Sequence, residues 1–356
     1  MKIIHTGDVH LGAATRNLPT EKAKLRKAEI LDTFRRMTIY ARENAITAVL
    51  IAGDLFDGNN APASLKQDVF SFIQSAKPVA FFYVSGNHDG ELVLDGAPEN
   101  FYTFSETRSW KSYDLPDGVT VTGIDGKYAD EGCYARLVLR PDRYNIVLMH
   151  GDTAYGGEKI SLANLQNKHI DYLALGHIHV PTLTPERLDG RGHYRYCGCL
   201  EGRGFDECGK RGFFLLETSG GKLLDEKFLS LSKREICERY VDVSACKTYF
   251  DVERCAEETL RNEPSGNMIK LILRGRYSAE LRKDISLLSE RLNQRFFHVK
   301  VVDESKLAFD YRQFETDLSE RGEFVREVGR YEMDEAFRAE ILEVGLKALC
   351  GEEIDL

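Results

Sequence analysis

The sequence predicts a layered α/β domain, followed by a small α+β module and a charged helical tail. Three observations carry that expectation. Short apolar, β-branched runs alternate with amphipathic stretches over the first quarter of the chain, the β-α-β-α-β order of a layered fold. Several of those runs stop abruptly in Gly followed by Asp, Asn or His. After Lys233 the texture changes and a second, shorter β-α-β-α-β series begins.

The elements follow in order. Residues 2–5 form a short apolar strand that runs into Thr6-Gly7-Asp8-Val9-His10. Asp8 and His10 are two apart on an extended chain, so both side chains can reach one point. Residues 26–44 read as a helix, with Ile30, Leu31, Phe34, Met37 and Ala41 at three- and four-residue spacing. Residues 46–52 are a buried strand ending in Gly53-Asp54-Leu55-Phe56-Asp57. A second helix, 63–75, carries Leu65, Val69, Phe72 and Ile73 on one face. The strand at 79–84 delivers Ser85-Gly86-Asn87-His88-Asp89.

From 91 to 142 the pattern loosens, with strands expected at 119–122 and 135–139. The strand at 145–149 runs straight into His150-Gly151-Asp152. A polar helix, 162–168, leads to a strand at 170–175 that delivers Gly176-His177-Ile178-His179. Strands at 193–197, 212–217 and 227–231 would complete the sheet near residue 235. Beyond it, strands at 240–243, 268–274 and 297–302 alternate with helices at 250–262 and 279–295, interrupted by the turn signal Glu263-Pro264-Ser265-Gly266. Residues 312–351 are charged and helical, with an apolar stripe of Phe337, Ile341, Val344 and Ala348.

Composition bounds the function. A chain of 356 residues suggests two domains, or one with an appendage, and a hydrophobic share of 42% is ample for a core. No apolar run approaches the roughly 18 residues of a membrane span. Met1-Lys2-Ile3-Ile4-His5 enters a strand at once and lacks the features of a signal peptide, so a cytoplasmic protein is expected. Eight cysteines at irregular spacing read as reduced thiols, with Cys197-x-Cys199 as structural filler and not a zinc site. A protein that grips nucleic acid by electrostatics alone normally carries a basic surplus, whereas this chain has a net charge of −9. The chain must avoid nucleic acid, concentrate its basic residues locally, or borrow a partner's positive surface.

Five strands thus end in groups able to bind metal: Asp8 and His10, Asp54, Asn87, His150, and His177 with His179. Together they offer two carboxylates, four imidazoles and an amide oxygen, more than one ion needs. The mixed nitrogen and oxygen set suits Mn²⁺, Fe²⁺ or Zn²⁺ better than Ca²⁺ or Mg²⁺ alone. Two metals about 3.5–4 Å apart need a bridging carboxylate and are suited to in-line displacement at phosphorus. Asp54, on the central strand, is the natural bridge.

These residues carry a specific resemblance. Asp8-x-His10-x-Gly12, Gly53-Asp54-x-x-Asp57, Gly86-Asn87-His88-Asp89, His150 and Gly176-His177-x-His179 resemble the motifs of the calcineurin-like metallophosphoesterases, in order. Within that superfamily, Tyr196-Cys197-Gly198 and Phe205-Asp206-Glu207-Cys208-Gly209-Lys210 are similar to a segment of the SbcD-type DNA-repair nucleases. The resemblance implies a layered β-sandwich flanked by helices (1–235) and a small α+β capping domain (236–310), while the apolar stripe of the helical tail (311–356) reads either as a docking element for a partner or as a helix packed back on its own domain. The resemblance also implies a nuclease, exo- or endonucleolytic, that works in DNA repair and recombination with an SbcC-like ABC-type coiled-coil ATPase. Self-association into a homodimer is left open.

Carried over by residue, one metal, most simply Mn²⁺ and otherwise Fe²⁺, Zn²⁺ or Mg²⁺, would take Asp8, His10, Asp54 and His179. The other would take Asp54, Asn87, His150 and His177. His88 would protonate the leaving oxygen, oriented by Asp57 or Asp89. Cys199 stands where the subfamily commonly has a small hydroxyl residue, and no phosphate contact is carried over to it. Arg187, Arg191, Arg195, Arg203, Lys210 and Arg211 cluster around the last ligand loop and read either as local help for DNA or as a solvated loop. His5, His169, His193 and His298 match no motif and read as core or surface residues.

Two other readings compete. A phosphoprotein phosphatase would hold phosphate with Arg-Gly after Asp57, where this chain has Gly58-Asn59, and the extra module disfavours nucleotide pyrophosphatases and cyclic-nucleotide diesterases. A DNA-end-binding scaffold with little turnover would not need the full ligand set together with His88.

Overall fold

A computed structural model describes residues 1–15, 18–58, 61–89, 96–104, 108–154, 160–278, 280–308 and 316–349. The chain divides into two compact units, Met1–Ile236 and Cys237–Leu356. Among the described residues, no helix is long and apolar enough to cross a membrane.

The first unit is built from β1 (Lys2–Thr6), α1 (Thr20–Glu43), β2 (Ala48–Ala52), α2 (Ala63–Ser75), β3 (Ala80–Val84), β4 (Phe101–Thr103), β5 (Lys111–Asp114), β6 (Val119–Gly123), β7 (Tyr144–His150), α3 (Leu162–Leu165), β8 (Tyr172–Gly176), β9 (Glu186–Arg187), β10 (His193–Tyr196), β11 (Phe213–Ser219) and β12 (Lys222–Leu229). They form two six-stranded sheets, ordered β12-β11-β1-β2-β3-β4 and β5-β6-β7-β8-β10-β9. The period of two along each strand decides what it faces. Ala48, Leu50 and Ala52 of β2 join Val119, Val121, Ile146, Leu148 and Ala174 in the core between the sheets. Val49 and Ile51 point the other way, onto Phe34, Met37, Val69 and Ile73 of α1 and α2. A third cluster, around Val147, Met149, Leu173 and Leu175, covers the outer face of the second sheet.

Strands β1 through β4 run parallel, as do β6, β7, β8 and β10, so their C-terminal ends gather along common rims. Ligands in open parallel sheets bind at such rims.

Some local expectations change. Residues 135–139 are not a strand: a 3₁₀ turn at Tyr134–Arg136 leads into chain that joins no sheet. Its alternating Leu137 and Leu139 are buried against the outer face of the second sheet, which satisfies the apolar pattern without a ladder. The helix expected over 162–168 stops at Leu165, because Gln166 turns to extended backbone (φ −61°, ψ 143°) and Asn167 then takes a left-handed φ of 61°. The strands β4, β5 and β9 were not legible, being short and without apolar alternation.

In the second unit, β13 (Ile236–Asp242), β14 (Met268–Arg274) and β16 (His298–Asp303) form a three-stranded sheet. A two-stranded ribbon pairs β15 (Arg276–Tyr277) with β17 (Lys306–Leu307). Helix α4 (Tyr249–Thr259) opens with a capping box in which Thr248 and Asp251 satisfy each other's backbone N–H. Helix α5 (Ile285–Arg295) starts later than its apolar pattern implied, where the Asp284 side chain accepts from Leu287 N–H; Ala279 lies outside the described residues. The charged C-terminal stretch contains two helices, α6 (Glu320–Gly329) and α7 (Glu335–Leu349). Val325, Val328, Leu342 and Leu346 share one core with Val252, Leu271 and Leu292. The buried face of α7 is therefore the Leu342–Leu346 line, with Ile341 at its edge. Phe337 and Val344 of the expected stripe are 56% and 37% exposed.

Candidate metal centre

The loops that follow β1 and β2 zip together in parallel. The N–H groups of Asp8, His10 and Leu11 donate to the carbonyls of Gly53, Asp54 and Leu55 at 3.0, 2.9 and 2.9 Å. The bends that allow this are strained. Asp8, His10 and Asp54 have φ of 48°, 50° and 49°, and His177 has 106°. Non-glycine residues in that region cost about 1–3 kcal/mol each and cluster at functional sites. Two glycines are needed for space. A Cβ on Gly53, which has φ of 84°, would sit 2.2 Å from Nδ1 of His150, and one on Gly86 would sit 2.2 Å from Oδ1 of Asp54.

The side chains converge from both sheets. Oδ2 of Asp54 lies 3.5 Å from Nε2 of His10 and 3.6 Å from Nε2 of His150. Nε2 of His10 is 3.1 Å from Nε2 of His179. Nδ1 of His150 donates to the Ala52 carbonyl at 2.8 Å, which leaves its Nε2 lone pair facing Oδ1 of Asn87 at 3.0 Å. Asp8 accepts the His177 N–H on both oxygens, at 2.9 and 3.0 Å, and the His177 ring stands edge-on to that of His150. Candidate ligand atoms of Asp8, His10 and His179 lie within 4.8 Å of one another, as do those of Asp8, Asp54 and His150.

This donor set fits divalent cations. Two imidazole nitrogens 3.1 Å apart must share either a proton or a cation, and the same holds for His150 and Asn87 unless the amide turns over. Asp8 and Asp54 are both buried. Burial, and then the Asp54 charge, pushes the Asp8 carboxyl well above the usual carboxylate range. Burial pushes His10 down to about 2 and also lowers His150. Neutral His10 and His150 keep the lone pair that binds metal, and a cation would restore the ionised form of Asp8.

His88 stands beside this cluster. Its backbone N–H donates to Oδ1 of Asp54 at 2.8 Å, while its side chain is 51% exposed with Nδ1 3.4 Å from Oδ1 of Asp57. Of the two carboxylates expected to orient it, Asp57 is the one that faces the ring. Asp89 is buried and spends its oxygens on the N–H groups of Phe56 and Gly86, at 2.8 and 2.9 Å. Burial pushes its carboxyl up to about 7 against those hydrogen bonds. Asp89 fastens the Gly86–Asp89 turn to the loop after β2.

The arginine cluster expected near the last ligand loop is largely committed internally. Arg191 binds Asp171, Arg195 binds Glu226 with both ends of its fork, and Arg211 is buried against the Cys208 carbonyl. Arg203 is held by Glu207, and Glu207 in turn accepts from Nδ1 of His179 at 2.6 Å. This pair was invisible by spacing, since Glu207 follows His179 by 28 residues on an irregular loop. Cys199 is buried with Sγ 3.8 Å from Oε2 of Glu207, and the described cysteines are free thiols. His5 is buried against the Tyr172 hydroxyl, and His298 pairs with Asn293.

The family model for the calcineurin-like phosphoesterases matches residues 1–181. The DNA double-strand break repair protein Mre11 of Methanopyrus kandleri is 29% identical, over 76% of this chain and 64% of that protein. The SbcD component of the SbcCD nuclease of Escherichia coli is 24% identical, over 94% of each chain. The DNA double-strand break repair protein Mre11 of Sulfolobus acidocaldarius is 22% identical, over 89% of this chain and 86% of its own length.

Proposed function

The chain belongs to the calcineurin-like phosphoesterase family, and from that premise we propose that it hydrolyses DNA phosphodiester bonds as a dinuclear metal nuclease. The observation that carries this reading is the position of Asp54 Oδ2 between the Nε2 atoms of His10 and His150, at 3.5 and 3.6 Å. One carboxylate oxygen flanked by imidazoles from two sheets suits a bridge. Asp8, His10, Asp54 and His179 would hold one ion, and Asp54, Asn87, His150 and His177 the other. Two divalent ions, Mn²⁺ foremost, would supply Lewis acidity toward the phosphoryl oxygens and acidify an attacking water.

The remaining work falls to the chain's own residues. His88 is close to the cluster without being needed as a ligand, and its ring is open to solvent on one side. It would hand a proton to the departing sugar oxygen, with Asp57 holding its Nδ1. The names of the Methanopyrus kandleri and Escherichia coli relatives, a DNA break repair protein and a component of a nuclease, support DNA as the substrate class. With a net charge of −9 and with Arg191, Arg195 and Arg203 paired to carboxylates, the chain would draw positive surface from a partner. An SbcC-like ATPase is the partner proposed, with residues 311–356 as its docking element, 236–310 as the capping domain and 1–235 as the catalytic domain.

The test is degradation of single- and double-stranded DNA alongside bis-p-nitrophenyl phosphate and p-nitrophenyl phosphate, with Mn²⁺ and with Mg²⁺. DNA and the diester should be hydrolysed and the monoester hardly at all. A strong preference for the monoester would replace the nuclease reading with a phosphatase.

A further inference from the structure

Glu207 makes the shortest contact to any of the candidate ligand rings. Its Oε1 lies 2.6 Å from Nδ1 of His179 and also accepts from Nε and Nη2 of Arg203, at 3.0 and 2.7 Å. Its Oε2 accepts from the Arg203 backbone N–H at 2.6 Å. The carboxylate is buried, so all of its bonding capacity is directed at these groups and the Cys199 thiol. The loop that carries it is anchored one step upstream. Glu201 is buried and accepts from the Lys233 and Arg234 backbone N–H groups and from the fully buried Arg26 guanidinium, at 2.7 Å for the last.

The geometry contains a competition. Nη2 of Arg203 is itself 3.1 Å from Nδ1 of His179. A carboxylate oxygen at 2.6 Å requires Nδ1 to carry the proton, because two acceptors at that distance repel. An arginine N–H alone at 3.1 Å would instead favour a bare Nδ1 and place the proton on Nε2. Nε2 is the atom that faces His10 at 3.1 Å. Whichever neighbour wins decides whether the ligand atom offers a lone pair or a proton.

We propose that Glu207 is a positioning residue that sets the His179 tautomer, with Arg203 clamped so that it cannot set the opposite one. The proposal rests on His179 being a metal ligand in the reading above. A carboxylate behind a metal-bound imidazole typically affects metal affinity by about 10–100-fold.

The test starts on the metal-free, histidine-¹⁵N-labelled full chain, where long-range ¹H–¹⁵N correlations read the tautomer and His179→Gln assigns the ring. Wild type should show the proton on Nδ1. Glu207→Ala should move it to Nε2 and weaken Mn²⁺ binding, read by titration of the metal alone, by about 10–100-fold, with circular dichroism unchanged. Adding Arg203→Ala to that variant should recover part of the affinity, which a merely structural loss would not do. If Glu207→Ala does not fold, Glu207→Leu keeps most of the volume without an acceptor and is measured in the same way. A wild-type proton on Nε2 overturns the proposal, and so does a folded variant with unchanged tautomer and affinity. If the tautomer and Mn²⁺ results are as expected but wild type fails to cleave DNA, the nuclease reading falls and this one stands.

Discussion

Oδ1 of Asp57 lies 3.4 Å from Nδ1 of His88, on the solvent-facing side of the candidate metal cluster. The same oxygen is 3.5 Å from Nδ1 of His10. His10, Asp57 and His88 also offer ligand atoms within 4.8 Å of one another, but a half-exposed ring held by a carboxylate suits the proton transfer proposed for it. His88→Ala should keep its metals and lose about 10²–10⁴-fold in DNA turnover. The loss should shrink sharply on p-nitrophenyl diesters, whose leaving group hardly needs a proton. An equal loss on both substrates, with metals retained, would assign His88 to stabilising charge on the phosphoryl oxygens.

Asp54→Asn should empty both sites, whereas His10→Ala should weaken mainly one. The amide retains an oxygen to accept the His88 N–H, so the turn should survive. What it lacks is the charge that the two proposed cations would share. Metal content of the purified variants checks this, and two tightly held ions in Asp54→Asn would remove the bridging assignment.

The two faces of α7 separate folding from the proposed docking. Leu342 is 1% exposed in the core of the second unit, and Leu342→Ala should cost about 2–5 kcal/mol in denaturant unfolding. Phe337 is 56% exposed, and Phe337→Ala should leave that stability unchanged while reducing co-purification with an SbcC-like ATPase. Undiminished co-purification of the Phe337 variant would take this face out of the proposed docking element.

Stability should fall in mild acid partly through His5. Its ring is wholly buried, with Nδ1 2.8 Å from the Tyr172 hydroxyl, and burial pushes its pKa from 6.5 down to about 3. As pH drops below 6.5 the unfolded chain takes up a proton that the folded one refuses. The stabilisation is complete above that pH and declines by up to about 1.4 kcal/mol per pH unit on the way to pH 3. Urea unfolding of wild type and His5→Phe at about pH 7 and about pH 5 measures it. Wild type should lose about 2 kcal/mol more than the variant over that interval, and parallel losses would show that His5 is not the group responsible.

The amino-acid sequence by itself determined the sheet ends and the seven candidate ligands. A strand that stops in glycine and a polar residue delivers that residue to a rim, and parallel order puts the rims together. The β-α-β-α-β texture was legible because burial imposes periods of about 2 and 3.6 on the residues themselves. The tertiary structure alone decided which groups meet. His10 and His179 touch across 169 residues of chain, and Glu207 reaches His179 from a loop with no periodicity at all. Asp57 and Asp89 were equivalent as neighbours of His88. Only the packing of the Gly86–Asp89 turn against Phe56 turned Asp89 inward to backbone N–H groups and left Asp57 facing the ring. The face of α7 was decided in the same way, by the core already present around Val252, Leu271 and Leu292. A short amphipathic pattern offers several rotations of nearly equal hydrophobicity, and contact with a particular neighbour selects among them.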